Sequence, residues 1–154
     1  MNVQIERASD ADGPSILQLL QASGLPIDGL VEHLNAAFVA RDGAAIVGCA
    51  AAEIYPDGAL LRSVAVASSA RGHRLGEHLT EAAIALARSL GTPAVYLLTT
   101  TAESYFQRFG FVQTARELVP AAVQQSIEFR SACPASAIVM RKALNDSTEE
   151  KLYG

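Results

Sequence analysis

Residues 71–76, Arg-Gly-His-Arg-Leu-Gly, place two guanidinium groups, an imidazole and two glycines where an apolar stretch gives way to an amphipathic one. A loop that leaves a strand and opens a helix presents the first N–H groups of that helix. Those groups, with the helix dipole, attract anions. Gly72 and Gly76 let a bulky phosphate approach the backbone with no Cβ in the way. Arg71 and Arg74 add charge in a fork that suits phosphate. The physical reading is a pyrophosphate cradle. The chain has no GxxxxGK[ST], and no GxGxxG opens a helix, so the commoner nucleotide loops are poor fits.

Two further charges stand where charge is costly. Glu53 interrupts the apolar run "CAAAEIY", and Arg62 interrupts "LLRSVAVA". Each needs a cleft or a partner. Glu53 is the first candidate for a general base. Arg62 needs an anion, either a substrate carboxylate or Glu53 across the sheet. Glu103 is a second candidate base, or only an acid in the first turn of a helix. Cys49 reads as a small packed residue. Cys133, before Pro134, could serve as a soft ligand, but one thiol is a poor chelator, and packing is the preferred reading. No metal is called for.

Bulk properties narrow the class. The 154 residues suit one domain with a sizeable core. The net charge of −4 argues against a nucleic-acid partner. Lysine occurs only at Lys142 and Lys151, so nearly all basic residues are arginine. Two cysteines are too few for a disulfide framework. The N-terminal "MNVQIERASD" lacks the apolar stretch of a signal peptide. No apolar run approaches the roughly 20 residues of a membrane helix. A cytosolic protein with reduced thiols is the expectation.

The elements that must hold these residues follow from periodicity. A first strand spans 3–9, and a helix follows with Asp10 or Asp12 as N-cap and Pro14 in its first turn. Residues 27–36 read as a second short helix. Residues 37–68 read as three strands in a meander, with turns at Asp42-Gly43 and Pro56-Asp57-Gly58. From 76 to 91, Leu75, Leu79, Ala83, Leu86 and Leu90 recur at helical spacing, and Gly91 and Pro93 end the helix. The strand, helix and strand over 59–100 require a parallel pair. A short helix over 102–110, a strand "FVQTARE", a helix "PAAVQQSIEF" and a closing strand "ASAIVMRKA" complete a mixed α/β domain over 1–144. Residues 145–154 form a polar tail, expected to be disordered.

The stretch "SVAVASSARGHRLGEHLTEAAIALARSLG" resembles the acetyl-CoA-binding motif of the GNAT (Gcn5-related) N-acetyltransferase superfamily. That motif is Arg or Gln, two residues, Gly, one residue, then Gly or Ala. Arg71 and Gly76 match its ends, while Arg74 replaces its middle glycine, a departure tolerable if φ there is negative. "YFQRFGF" (105–111) resembles a downstream motif of the same superfamily. "GCAAAEIYPDG", "TTTAESYF" and "FRSACPASA" look like the acetyltransferase domain of N-acetylglutamate synthases, and more closely like arsenic-resistance N-acetyltransferases.

The resemblance implies a GNAT fold, with about seven strands in a mixed central sheet flanked by helices and a splayed parallel pair that holds the coenzyme. It implies that an amine attacks the acetyl thioester directly. Main-chain groups of Val64, Ala65 and Val66 would line the pantetheine arm, and the N–H groups of Val64 and Val66 would be the candidates to steady the carbonyl oxygen, Val64 first. Arg71, Gly72, His73, Arg74, Leu75, Gly76 and Glu77 would surround the diphosphate, with Phe106 and Arg108 also on the coenzyme side. His73 and His78 are coenzyme-side or surface histidines rather than bases. Many relatives have Tyr where this chain has Phe106, which has no proton to give. Tyr105, about 100° around the helix, would replace it only if that helix is rotated. Arg62, Ser63, Thr99, Arg130 and Ser131 fall on the substrate side. They favour a small amino acid with a second acidic group: glutamate, or an arsenical or phosphinic mimic whose acetylation gives resistance. A homodimer is compatible with the family. Two other functions stay open: a module that senses acetyl-CoA or an amino acid without turnover, and a protein N-acetyltransferase, which the arginine content disfavours.

Overall fold

Strands β1 (Val3–Arg7), β2 (Ala37–Asp42), β3 (Ala45–Tyr55), β4 (Gly58–Val66), β5 (Ala94–Thr99), β6 (Val112–Gln113) and β7 (Ile138–Ala143) form one sheet in the order β1-β2-β3-β4-β5-β7-β6. The helices are α1 (Gly13–Ala22), α2 (Leu75–Ser89), α3 (Glu103–Gln107) and α4 (Ala121–Gln124). This computed structural model describes residues 2–133 and 135–144, without the side chains of Ser131 and Ala132. The tail 145–154 lies outside the described residues. β4 and β5 pair in parallel, Ala59 with Val95 and Leu60 with Tyr96, as a crossover through α2 requires. Sheet and helices together are the mixed α/β architecture expected.

Packing divides the chain into two compact units, Met1–Glu53 with Leu61–Leu86, and Ile54–Leu60 with the chain from Ala87 on. In the first unit β1, β2 and β3 form an antiparallel ladder. Its register shifts between Ala40 and Arg41, leaving Val47 as an extra residue in β3. α1 and the 3-10 segment Leu30–Ala36 bury Ile16, Leu20, Leu30 and Leu34 with Val39, Cys49 and Ala51. α2 lies close over β3 at Gly48, where an added Cβ would meet the Leu79 side chain at 2.9 Å. Asp12 is the N-cap residue of α1 but does not cap it by side chain. Its carboxylate turns back to the Ser9 N–H at 2.8 Å and accepts from both terminal nitrogens of Arg41 at 3.1 and 2.9 Å. Hydrogen bonds from Arg41 and then Ser9 hold this buried carboxyl down at about 2.

In the second unit β7 pairs antiparallel with β5 over Ala94–Thr99 and with β6. Leu60, Ala94, Tyr96, Val119, Val123 and Val139 form its core. The Asp57 carboxylate, at the β3–β4 turn, accepts the Ala122 N–H of α4 at 3.0 Å.

Several elements are shorter than their patterns predict. The helix expected over 27–36 is the 3-10 segment Leu30–Ala36, broken at His33, whose φ of −119° is not helical. "FVQTARE" supplies only the two residues of β6 before a 3-10 turn at Arg116–Leu118. "PAAVQQSIEF" folds as the single turn of α4 and then a π-helical turn at Glu128–Ala132. The Ser126 hydroxyl accepts the Phe129 N–H at 3.3 Å there, a local bond that competes with a continuing helix. Leu90 is 58% exposed, because α2 stops at Ser89 and Gly91 turns left-handed with φ 79°.

Candidate active site

β4 ends at Val66, a 3-10 turn spans Ser68–Ala70, and α2 opens at Leu75. Two residues between them are left-handed: Gly72 at φ 89° and Arg74 at φ 60°. A negative φ at Arg74 is the expectation that the structure overturns. A non-glycine residue there costs about 1–2 kcal/mol. The Arg74 side chain offsets part of this, since Nε and Nη2 donate to the two Glu77 oxygens at 3.0 and 2.8 Å. The Glu77 carboxylate raises the Arg74 guanidinium above its ordinary range. The Arg74 carbonyl accepts the His78 N–H at 3.1 Å, the first bond of the helix. The N–H groups of Leu75 and Gly76 therefore belong to the first turn, which has no helical carbonyl to receive them. Nothing lies within 4 Å of where a Cβ on Gly72 would sit. Arg71, His73 and Arg74 are exposed, and His73 Nδ1 lies 3.2 Å from the Ala70 carbonyl. An open cleft of about 580 Å³ beside the loop is lined by Val3, Ile5, His73, Leu75 and His78. An anion thus meets free approach, glycine backbone and the positive end of α2 together.

The second cluster lies deeper in the same unit. Glu53 of β3 and Arg62 of β4 are 1% and 3% exposed. The two strands are joined by the tight turn at Pro56-Asp57, which brings these distant charges onto neighbouring strands. Arg62 donates from Nη1 to Glu53 Oε2 at 2.8 Å and to the Asp28 carbonyl at 2.7 Å, from Nη2 to the Pro26 carbonyl at 3.3 Å, and from Nε to Ser63 Oγ at 3.0 Å. Glu53, one of the two partners the sequence allowed, does pair with Arg62. Such burial is tolerable only because both charges are paired and bonded. His33 approaches the same carboxylate, with Nε2 3.6 Å from Glu53 Oε1. Sequence reasoning missed His33. A lone histidine in "VEHLN" matches no motif, and only tertiary contact, twenty positions along, marks it.

Ser63 is left-handed at φ 62° inside β4, and its carbonyl accepts the Cys49 thiol at 3.1 Å. Burial pushes that thiol up to about 12. Cys49 is thus the packed residue its surroundings implied. Beyond Ser63, Ala65 is buried while Val64 and Val66 are half-buried.

The remaining candidates stand in the second unit. The Thr99 hydroxyl accepts the Ala102 N–H at 2.9 Å, just ahead of α3. Phe106 is buried edge-on to Phe111, with ring centroids 6.0 Å apart. Tyr105 is half-buried, 5.0 Å from Phe106, with the exposed Arg108 guanidinium 5.1 Å above its ring. Glu103 opens α3, Arg130 is exposed, and Cys133 is half-buried. The Ser131 side chain lies outside the described residues. The structure thus brings together Glu53, Arg62 and Ser63, adds His33, and keeps residues 71–77 contiguous, as a loop over 71–74 and the opening of α2.

The sequence signature of the acetyltransferase (GNAT) domain matches residues 33–113, which include both the loop and the Glu53–Arg62 pair. This chain belongs to the GNAT family. An uncharacterized N-acetyltransferase of Chlorobaculum tepidum is 30% identical to this GNAT chain over 95 residues, 61% of each protein. The chain therefore spans less than two thirds of that relative's length. The N-acetylglutamate synthase of Neisseria gonorrhoeae, solved with coenzyme A and N-acetyl-glutamate, superposes with a TM-score of 0.79 at 22% identity, over 94% of this chain and 35% of that one. Rv2747 from Mycobacterium tuberculosis, solved in complex with CoA, gives 0.77 at 25% identity over 92% and 99%. These likenesses confirm the GNAT fold.

Proposed function

We propose that this chain transfers an acetyl group from acetyl-CoA to the amine of a small amino acid with a second acidic group, glutamate or an arsenical or phosphinic mimic. The observation that carries the reading is the loop after β4, where left-handed Gly72 and Arg74 open the N-terminus of α2 to an anion. The loop residues 71–76 would hold the diphosphate, and the β4 main chain at Val64–Val66 would hold the arm and the carbonyl oxygen. Acetyl-CoA supplies an activated acyl carbon. The chain's task is to orient it and to manage protons.

The substrate class is supported from two sides. The neighbour from Neisseria gonorrhoeae is complexed with coenzyme A and N-acetyl-glutamate. Of the two arginines weighed for a carboxylate, Arg62 is occupied by Glu53 and backbone carbonyls, whereas Arg130 is exposed. The reading therefore assigns the substrate's acid group to Arg130. Acetylation of an arsenical or phosphinic amino acid would confer resistance by blocking its amine.

Calorimetry with coenzyme A, followed by a thiol-release assay over a panel of amino acids, tests the proposal. Binding with release for glutamate-like amines is expected. Binding without release for any amine would instead mean a coenzyme-sensing module. An absence of binding would end the reading.

A further inference from the structure

Glu53 is shut away from solvent in this structure. Its side chain is 1% exposed, and the Arg62 side chain that holds it is 0% exposed. His33 is 24% exposed while its Nε2 lies 3.6 Å from Glu53 Oε1. The buried charge pair therefore meets a ring that reaches solvent. Histidine is the side chain suited to take and release a proton near neutrality.

The position of that ring is built, not incidental. Leu30 and Leu34, on either side of His33, are 1% and 5% exposed and anchor the segment. His33 itself stands at the break between them, with φ −119° and ψ 18°. The entry to the segment is tied by Arg62, through the carbonyls of Pro26 and Asp28. One guanidinium thus grips the Glu53 carboxylate and the backbone that leads to His33. The charged groups near the ring include the Glu53 carboxylate of β3, itself held by Arg62 of β4, and the exposed Glu32 next in sequence.

We propose that His33 is the catalytic base of this acetyltransferase, and that Glu53 is a positioning residue that orients it. This rests on the acetyl-transfer reading above. The substrate ammonium gives one proton to the His33 imidazole, and the imidazolium is stabilised by Glu53. The amine nitrogen then attacks the thioester carbon. The C–N bond forms, the C–S bond breaks, and sulfur leaves with the bonding pair. The thiolate takes one proton from solvent, while the His33 imidazolium returns its proton to water and the second amine proton leaves to water, so the base is restored and one proton is released overall.

The test uses the full chain with His33→Gln and His33→Ala. Both variants are expected to lose about 100-fold in kcat, with coenzyme A affinity in calorimetry and KM for acetyl-CoA within about twofold of the parent. Added imidazole should restore part of the activity of His33→Ala, and the acid limb of the pH–rate profile should vanish in His33→Gln. Two variants that keep the parent kcat would overturn the assignment. So would a loss that imidazole does not rescue and that leaves the pH–rate profile unchanged. A parent chain that binds coenzyme A and releases thiol while the variants behave as the parent sinks the His33 assignment alone. A parent that releases no thiol sinks both.

Discussion

Cys49 and Cys133 show how far a residue's surroundings decide its chemistry. The Cys49 thiol is 1% exposed, donates to the Ser63 carbonyl at 3.1 Å, and is held protonated by burial. The thiolate is the reactive form. Cys133 is half-buried. A thiol-reactive reagent at pH 8 should therefore label Cys133 in the native protein and Cys49 only after denaturant is added. Peptide mapping of the labelled protein would check this, and fast native labelling of Cys49 would contradict the packing described here. Residue identity alone foretold less at Glu53 and Arg62. Their cost in an apolar strand was readable, because a charge between alanines or leucines must face a cleft, find a partner or turn outward to solvent. Their pairing was one of two alternatives, and His33, which completes the cluster, is invisible without tertiary contacts.

Local elements followed the sequence where periodicity and punctuation agreed. The Asp42-Gly43 and Pro56-Asp57 turns separate β2, β3 and β4 as those residues demand, and the Leu75, Leu79, Ala83 stripe of α2 is buried. The sequence misled where a short apolar pattern had no length to support it, as in "PAAVQQSIEF". The entry to α1 gives a pH prediction. Asp12 sits at about 2 in the folded chain, against an unfolded value near 3.8. A depressed carboxyl contributes stability that is full above the unfolded value and is lost as pH falls through the folded one. Urea midpoints of the parent and of Asp12→Asn should differ at neutral pH. The gap should narrow from about pH 4 downward and close near pH 2. A gap that stays constant with pH would show that the Arg41 and Ser9 bonds do not set this carboxyl.

The protein as a whole offers one test of ligand and fold together. A ligand that binds only the folded chain stabilises it by mass action, by about 2.7 kcal/mol at a hundredfold excess over Kd. For a chain of this size that should raise Tm by about 5–10 °C. Thermal scans with coenzyme A should show this rise, reduced in Gly72→Val, where a branched side chain would have to adopt φ 89° in the loop. An equal rise in both proteins would move the binding site elsewhere. The parallel β4–β5 pair was foreseeable from the strand, helix, strand run, since a crossover of that length suits parallel pairing, while the seven-stranded sheet around it came only from the resemblance to the GNAT superfamily. One contact in it bears on the order of events as the chain matures. The single turn of α4 is too short to persist alone, and its Ala122 amide is held by a carboxylate 65 positions earlier. Deuterium should therefore enter that amide whenever the β3–β4 hairpin tip lets go, so its protection reports on the hairpin rather than on α4. During synthesis the hairpin residues emerge first, so the acceptor for the Ala122 amide leaves the ribosome before α4 does.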